Sequence, residues 1–108
     1  MDVRSLPSRL EGATKRIPRR LADLRGPRTG TVVLPTRLAW SGPPDFDVSD
    51  SRERLTLYCT LLDCGQRDDI EQYVHPGLLR DDWPRIRRLT SRQLTAVWEQ
   101  HLPELAAA

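Results

Sequence analysis

Asparagine is missing from this chain altogether, lysine occurs once against sixteen arginines, and phenylalanine and methionine occur once each. Arginine is therefore the default cation, and a single arginine carries little functional meaning by itself. The preference for residues with GC-rich codons points to a GC-rich bacterial genome. Long apolar runs are also missing. None approaches the roughly 18 residues that a bilayer span requires, and the leucines near the N-terminus stand among arginines rather than in a signal-peptide stretch. These absences predict a cytoplasmic protein with no membrane contact. Cys59 and Cys64 are then expected as free thiols. A spacing of five on a helix puts them on different faces, which suits neither a disulfide nor a metal site.

Catalytic parts are equally scarce. Covalent catalysis needs a nucleophile, a base and an orienting group brought together, and the only imidazoles are His75 and His101. His75, just ahead of Pro76 at a helix start, reads as a capping or turn residue. His101, on the apolar face of the last helix, reads as a core-edge residue. No CxxC or HxxxH pairing suggests a metal, and the six glycines are scattered rather than gathered into a phosphate loop. The acidic pairs Asp68/Asp69 and Asp81/Asp82 read as helix N-terminal charges on solvated faces rather than as acid–base machinery. The chain is expected not to be an enzyme and to carry no cofactor and no metal.

What is present is a proline-rich, basic first third and a helical remainder. Six of the nine prolines (Pro7, Pro18, Pro27, Pro35, Pro43 and Pro44) fall in the first 44 residues. Residues 1–37 carry nine basic groups against three acids, a net of +6, and the rest carries eight against twelve, a net of −4. This divides the chain into a flexible basic arm over 1–30 and a small helical domain over 31–105. Thr31-Val-Val-Leu34 and Leu38-Ala-Trp40, bounded by glycine and proline, suggest two short strands. Asp50, with Glu53 three residues on, resembles a capping box, and Gly65 is placed to end that helix. Leu55, Tyr58, Cys59 and Leu62 form one apolar stripe at about 100° per residue, and Leu57, Leu61 and Cys64 form another. A helix apolar on two sides belongs at the centre. Ile70, Tyr73 and Val74 continue at helical spacing. Pro76 opens a further helix, Pro84 is expected to kink or restart it, and Ser91 can cap a last helix with Leu94, Val97 and Trp98 on its face. The fold class is mainly α, with four or five short helices and a small two-stranded β element near the N-terminus.

Two functional classes follow from these features. A small, thinly stabilised acidic domain with three tryptophans and a basic arm suits docking onto another protein. Trp40, beside the Ser41-Gly-Pro-Pro44 loop, is the candidate anchor, with Ser41 and Phe46 in the same contact surface. Trp83 and Trp98 read as core. The alternative is a small DNA-binding regulator. Arg85, Arg87, Arg88 and Arg92 cluster before the last helix, which would present Arg92, Gln93 and Thr95 to the nucleic acid. Against it stand Asp81, Asp82 and the acidic body, which oppose phosphate binding. Looser nucleic-acid contact through the basic arm is compatible with either class.

The stretch Leu34-Pro-Thr-Arg-Leu-Ala-Trp-Ser-Gly42, then Phe46-Asp-Val-Ser-Asp50, then Leu57-Tyr58 through Asp69-Ile70 and Trp83, resembles a group of small actinobacterial proteins. The likeness spans roughly residues 31–102. Such proteins tend to sit beside nucleotidyltransferase-like toxins of the abortive-infection type, as candidate antitoxins. The resemblance implies a partner-binding role and no catalytic residues.

Overall fold

Fourteen residues after Asp50 form the longest helical run that lacks an internal proline, and the chain is organised around it. A computed structural model describes residues 12–39 and 42–106. The architecture is mainly α with one two-stranded antiparallel ribbon, as expected. Helix α1 (Ala13–Arg16) and a single 3-10 turn (Leu21–Asp23) precede strands β1 (Thr31–Val33) and β2 (Asp45–Asp47). Helices α2 (Ser51–Cys64), α3 (Arg67–Tyr73), α4 (Pro76–Leu89), α5 (Arg92–His101) and α6 (Pro103–Ala106) follow. None of these helices is long and apolar enough to cross a membrane.

Helix α2 starts as its sequence predicts. The Asp50 carboxylate accepts from the backbone N–H groups of Arg52 (2.8 Å) and Glu53 (3.2 Å), satisfying two orphan donors of the first turn. Glu53 does not close the reciprocal box. Its carboxylate instead accepts from the Asp47 N–H (3.0 Å), which ties the end of β2 to the helix. Both apolar stripes are used. Leu57, Tyr58, Leu61 and Leu62 are fully buried, while Leu55 and Cys59 are partly covered against the core. Cys64 is exposed, because the helix ends there at Gly65.

The ribbon differs from expectation in its second strand. β1 pairs with 45–47, with Val32 opposite Phe46, and 36–38 form a turn. Pro43 and Pro44 hold the connection open, so the next residues free to pair on both edges begin at Asp45. Val32 points into the core and Thr31 and Val33 out, the period-two alternation of a half-buried strand. Leu34 N–H to the Pro44 carbonyl and Val48 N–H to the Gly30 carbonyl, each 2.9 Å, extend the ladder at both ends.

Residues 12–30, assigned to a flexible arm by their prolines and charge, lie packed on the helices. Ile17, Leu21 and Leu24 are core residues. The Arg16 guanidinium donates to the Leu62, Asp63 and Gly65 carbonyls (3.1–3.4 Å) and so caps the C-terminus of α2. Arg67 returns the favour by donating to the Thr14 and Ile17 carbonyls. Gly26 lies so close to the Tyr73–Val74 peptide that a Cβ there would sit 2.3 Å from the Tyr73 carbonyl carbon. The remainder of the expected arm, 1–11, lies outside the described residues.

Helix α4 runs unbroken through Pro84 instead of restarting there. The lost hydrogen bond would have gone to the Arg80 carbonyl, on the exposed face where water can serve it. On the inner face Trp83 and Ile86 anchor the helix on either side of the proline. The Trp83 ring lies 6.1 Å from that of Trp98 on α5, tilted by 39°, and its indole N–H donates to Glu99 (2.7 Å). Thr95, rather than His101, completes the buried face of α5, and His101 is exposed.

The deepest polar group is Asp82, 1 % exposed. Its carboxylate accepts from Arg54 Nε (2.6 Å) and Nη2 (3.0 Å) and from Arg85. Arg54 also donates to the Val48 carbonyl (2.9 Å), so this one cluster joins α2, α4 and the end of β2. Removing one member of a buried pair leaves an uncompensated charge and costs about 3–5 kcal/mol. Asp82→Asn is expected to lower stability by that amount, read as a shift in the urea midpoint, whereas Asp81→Asn on the exposed side should leave the midpoint within about 0.5 kcal/mol.

Candidate functional site

Among the described residues, an apolar groove runs along the outer side of α2 and an arginine-lined cleft lies beside α4 and α5. The groove has two parts. One, of about 240 Å3, is lined by Leu38, Ala39, Gly42, Pro43 and Phe46 together with Thr56 and Thr60. The other, of about 260 Å3, is lined by Leu55, Cys59, Asp63 and Leu89, again with Thr56 and Thr60. The shared threonines make the two parts continuous across α2.

Local sequence explains the groove. Thr56 and Thr60 face outward, and each donates its hydroxyl to the carbonyl four residues back, of Arg52 and Thr56 respectively. Their methyl groups are thereby left to line the surface. Leu89 closes the far end with 66 % of its surface exposed, the largest exposure of any leucine in the core-forming helices. It sits in the last turn of α4, where the helix stops at Thr90 before α5 can cover it. The Thr90 hydroxyl donates to Cys59 Sγ (3.8 Å), and burial pushes the Cys59 thiol pKa up, so the thiol stays protonated in the groove floor.

The expected contact residues distribute as follows. Phe46 lies in β2, partly buried, with its ring against the core and in the groove wall. Trp40 and Ser41 lie outside the described residues, while their neighbours Ala39 and Gly42 both line the groove. Leu89, Thr56 and Thr60 were not singled out by sequence.

The arginines proposed for nucleic acid separate into two pairs. Arg85 is committed to Asp82, and Arg87 Nε is bonded to Glu99 (2.9 Å). Arg88 and Arg92 make no ion pair among the described residues, and they line a cleft of about 920 Å3 with Arg87, Pro84, Thr90 and Thr95. Thr95 is buried and donates its hydroxyl to the Arg92 carbonyl, so it cannot present that group to bases. The acidic pairs are corrected as well. Asp68 and Asp81 are solvated, but Asp69 and Asp82 are buried. Asp69 accepts from both terminal nitrogens of Arg37 and from the Gln66 N–H (2.9 Å), and these bonds hold its pKa below the usual carboxylate range. Adjacent helical residues point about 100° apart, which is why each pair splits between core and solvent. Asp82 stands four residues from both Leu78 and Ile86, on the buried stripe, and that register betrayed it.

His75 is the N-cap of α4. Its Nδ1 accepts from the Gly77 N–H (3.0 Å) and the Leu78 N–H (3.3 Å), and the His75 backbone N–H donates to the Tyr58 hydroxyl (3.2 Å). Comparison with protein-family models, with curated proteins and with solved structures finds no match for this chain.

The capping role requires a neutral imidazole with an acceptor at Nδ1. Burial, and then the nearby Arg28 guanidinium, lower the His75 pKa. A depressed folded-state value means that the unfolded chain binds the proton more tightly. The stabilisation is therefore complete above the ordinary value of about 6.5 and is lost as pH falls from there through the folded pKa. Thermal melts between pH 7.5 and 5 should show this loss, and His75→Asn, which keeps an N-cap acceptor, should flatten that part of the profile.

Proposed function

We propose that this protein acts in the cytosol by contact with another protein, through the groove over α2, and that it does no chemistry of its own. The observation that carries this reading is the exposed Leu89 at one end of a continuous apolar groove with Phe46 at the other. Exposed apolar surface is costly to leave in water, at about 25 cal/mol per Å2, and an apolar groove lowers that cost when it takes up apolar side chains of a partner. The groove suits a partner segment bearing two or three apolar side chains, with Thr56, Thr60 and Asp63 as a polar rim. Part of the charge that the sequence places in the basic arm is spent within the fold: Arg20 and Arg25 pair with Asp23 and Glu71, and Arg16 caps α2.

The form of this role that the sequence resemblance implies is antitoxin-like: neutralisation of a nucleotidyltransferase-like toxin by occlusion. A small domain whose stability is only about 0.05–0.15 kcal/mol per residue gains from such a partner, because whatever binds the folded state stabilises it by mass action. Affinity purification of the tagged chain from host extract after nuclease treatment is expected to retain one stoichiometric protein. Leu89→Asp should weaken that association by about 30-fold or more, the cost of losing a residue worth at least 2 kcal/mol at an interface, with an unchanged melting temperature because Leu89 is exposed. Retention of the partner by Leu89→Asp at wild-type affinity would remove the groove from consideration.

A further inference from the structure

The outer face of α4 carries a second surface, independent of the groove. The Arg87–Arg92 cleft meets another, of about 460 Å3, at Pro84, and the second cleft is lined by Arg28, Gly77, Arg80 and Asp81. Joined at the proline, they form one solvent-facing stripe along α4 bearing Arg28, Arg80, Arg87, Arg88 and Arg92. All five are exposed. Only Arg87 has an acidic partner among the described residues, Glu99. Asp81 is the one carboxylate lining the stripe among the described residues. The neighbouring Asp82, which would have doubled the opposing charge, is buried and neutralised by Arg54 and Arg85 from the other side.

From this arrangement we infer that the stripe binds the phosphate backbone of nucleic acid without reading its sequence. Like charges held this close repel one another, and they persist in a folded surface at least cost when an anion of repeating charge completes them. From Arg80 to Arg88 the helix rises about 12 Å at 1.5 Å per residue. That length matches roughly three or four phosphates of one DNA strand at about 3.4 Å of rise each. The guanidinium fork suits phosphate oxygens. Among the described residues, the lining contains no aromatic ring on which a base would stack and no apolar anchor beyond Pro84. The first absence argues for backbone contact rather than base readout. The second argues against an acidic protein segment, whose binding would rest on apolar hot spots.

The test is fluorescence anisotropy of the full chain with a labelled duplex of arbitrary sequence, between 50 and 200 mM salt. Engagement of three or four phosphates predicts a log–log slope of about −3, hence roughly a 60-fold loss of affinity across that range, with little difference between duplex sequences. Arg88→Glu with Arg92→Glu should weaken binding at least tenfold. The milder pair Arg88→Ala with Arg92→Ala should make the slope shallower by about 2. Both pairs remove exposed side chains without ionic partners, so the melting temperature should hold, and Arg52→Glu on the exposed side of α2 should leave binding unchanged. Three results overturn the inference: no binding at 50 mM salt, equal binding by both double variants, or displacement of the duplex by poly-glutamate as effectively as by unlabelled DNA.

Discussion

A carboxylate that the protein has taken almost wholly out of water organises the fold. Asp82 is intolerable in the core without compensation, since moving a charge into a low-dielectric interior costs several kcal/mol even after relaxation. Arg54 from α2 and Arg85 from its own helix supply that compensation, and Arg54 extends it to the Val48 carbonyl. The cluster therefore settles where α4 lies against α2 and where the chain leaving β2 must stand. Apolar packing of Trp83, Ile86, Leu57 and Leu61 supplies most of the driving force, but greasy contacts tolerate sliding. A bidentate arginine–carboxylate contact does not, because a shift of about an ångström unmakes both hydrogen bonds. In this chain the buried ion pair selects one register among those the hydrophobic contacts would accept.

The same geometry explains how much could be read in advance. Wherever the periodicity was strong and local, sequence and structure agree: α2 with its Asp50 cap and Gly65 stop, the His75–Pro76 start of α4, the Ser91 cap of α5, and the buried Trp83 and Trp98. What escaped is long-range. The segment 12–30 has too few apolar residues to advertise a core role, yet Ile17, Leu21 and Leu24 fill it, and backbone bonds of Arg25 and Gly26 to Glu71 and Val74 hold the segment down. Proline content reads locally as a lack of structure, and the groups that tether this segment lie about fifty residues away in sequence. The second strand was misplaced for a related reason. Leu38 and Ala39 look strand-like, but pairing is decided by which residues beyond Pro44 can reach β1. Of the candidate contact residues, Phe46 was legible as an isolated aromatic. Leu89 was hidden because only the tertiary stop at Thr90 leaves it uncovered.

Charge was the most misleading quantity in the sequence, and the structure shows why. A net of −4 over residues 38–108 describes an acidic body only if every acid is equally visible. Asp69, Asp82, Glu71 and Glu99 are instead consumed by Arg37, Arg54 with Arg85, Arg25 and Arg87. Two of these pairs, Arg25–Glu71 and Arg37–Asp69, join a cation of residues 1–37 to an acid of the later part. Folding the first part onto the second therefore offsets some of the polarity seen along the chain, basic first and acidic later.

The arginines left over then acquire a meaning that abundance alone denied them. In a chain with sixteen arginines, position cannot distinguish a structural cation from a functional one; partnership can. Arg54 and Arg85 face a buried acid, Arg16 and Arg67 face carbonyls, and each would be missed by the fold if removed. Arg28, Arg80, Arg88 and Arg92 serve no such purpose and nevertheless line two clefts that meet at Pro84 on α4. On helix α4 Asp82 is turned inward to hold the fold, while Arg80, Arg87 and Arg88 are turned outward with Asp81 beside them. A stripe made in this way is independent of the apolar groove over α2. The two surfaces meet only at the C-terminal turn of α4, where Leu89 lines one and Arg88 the other.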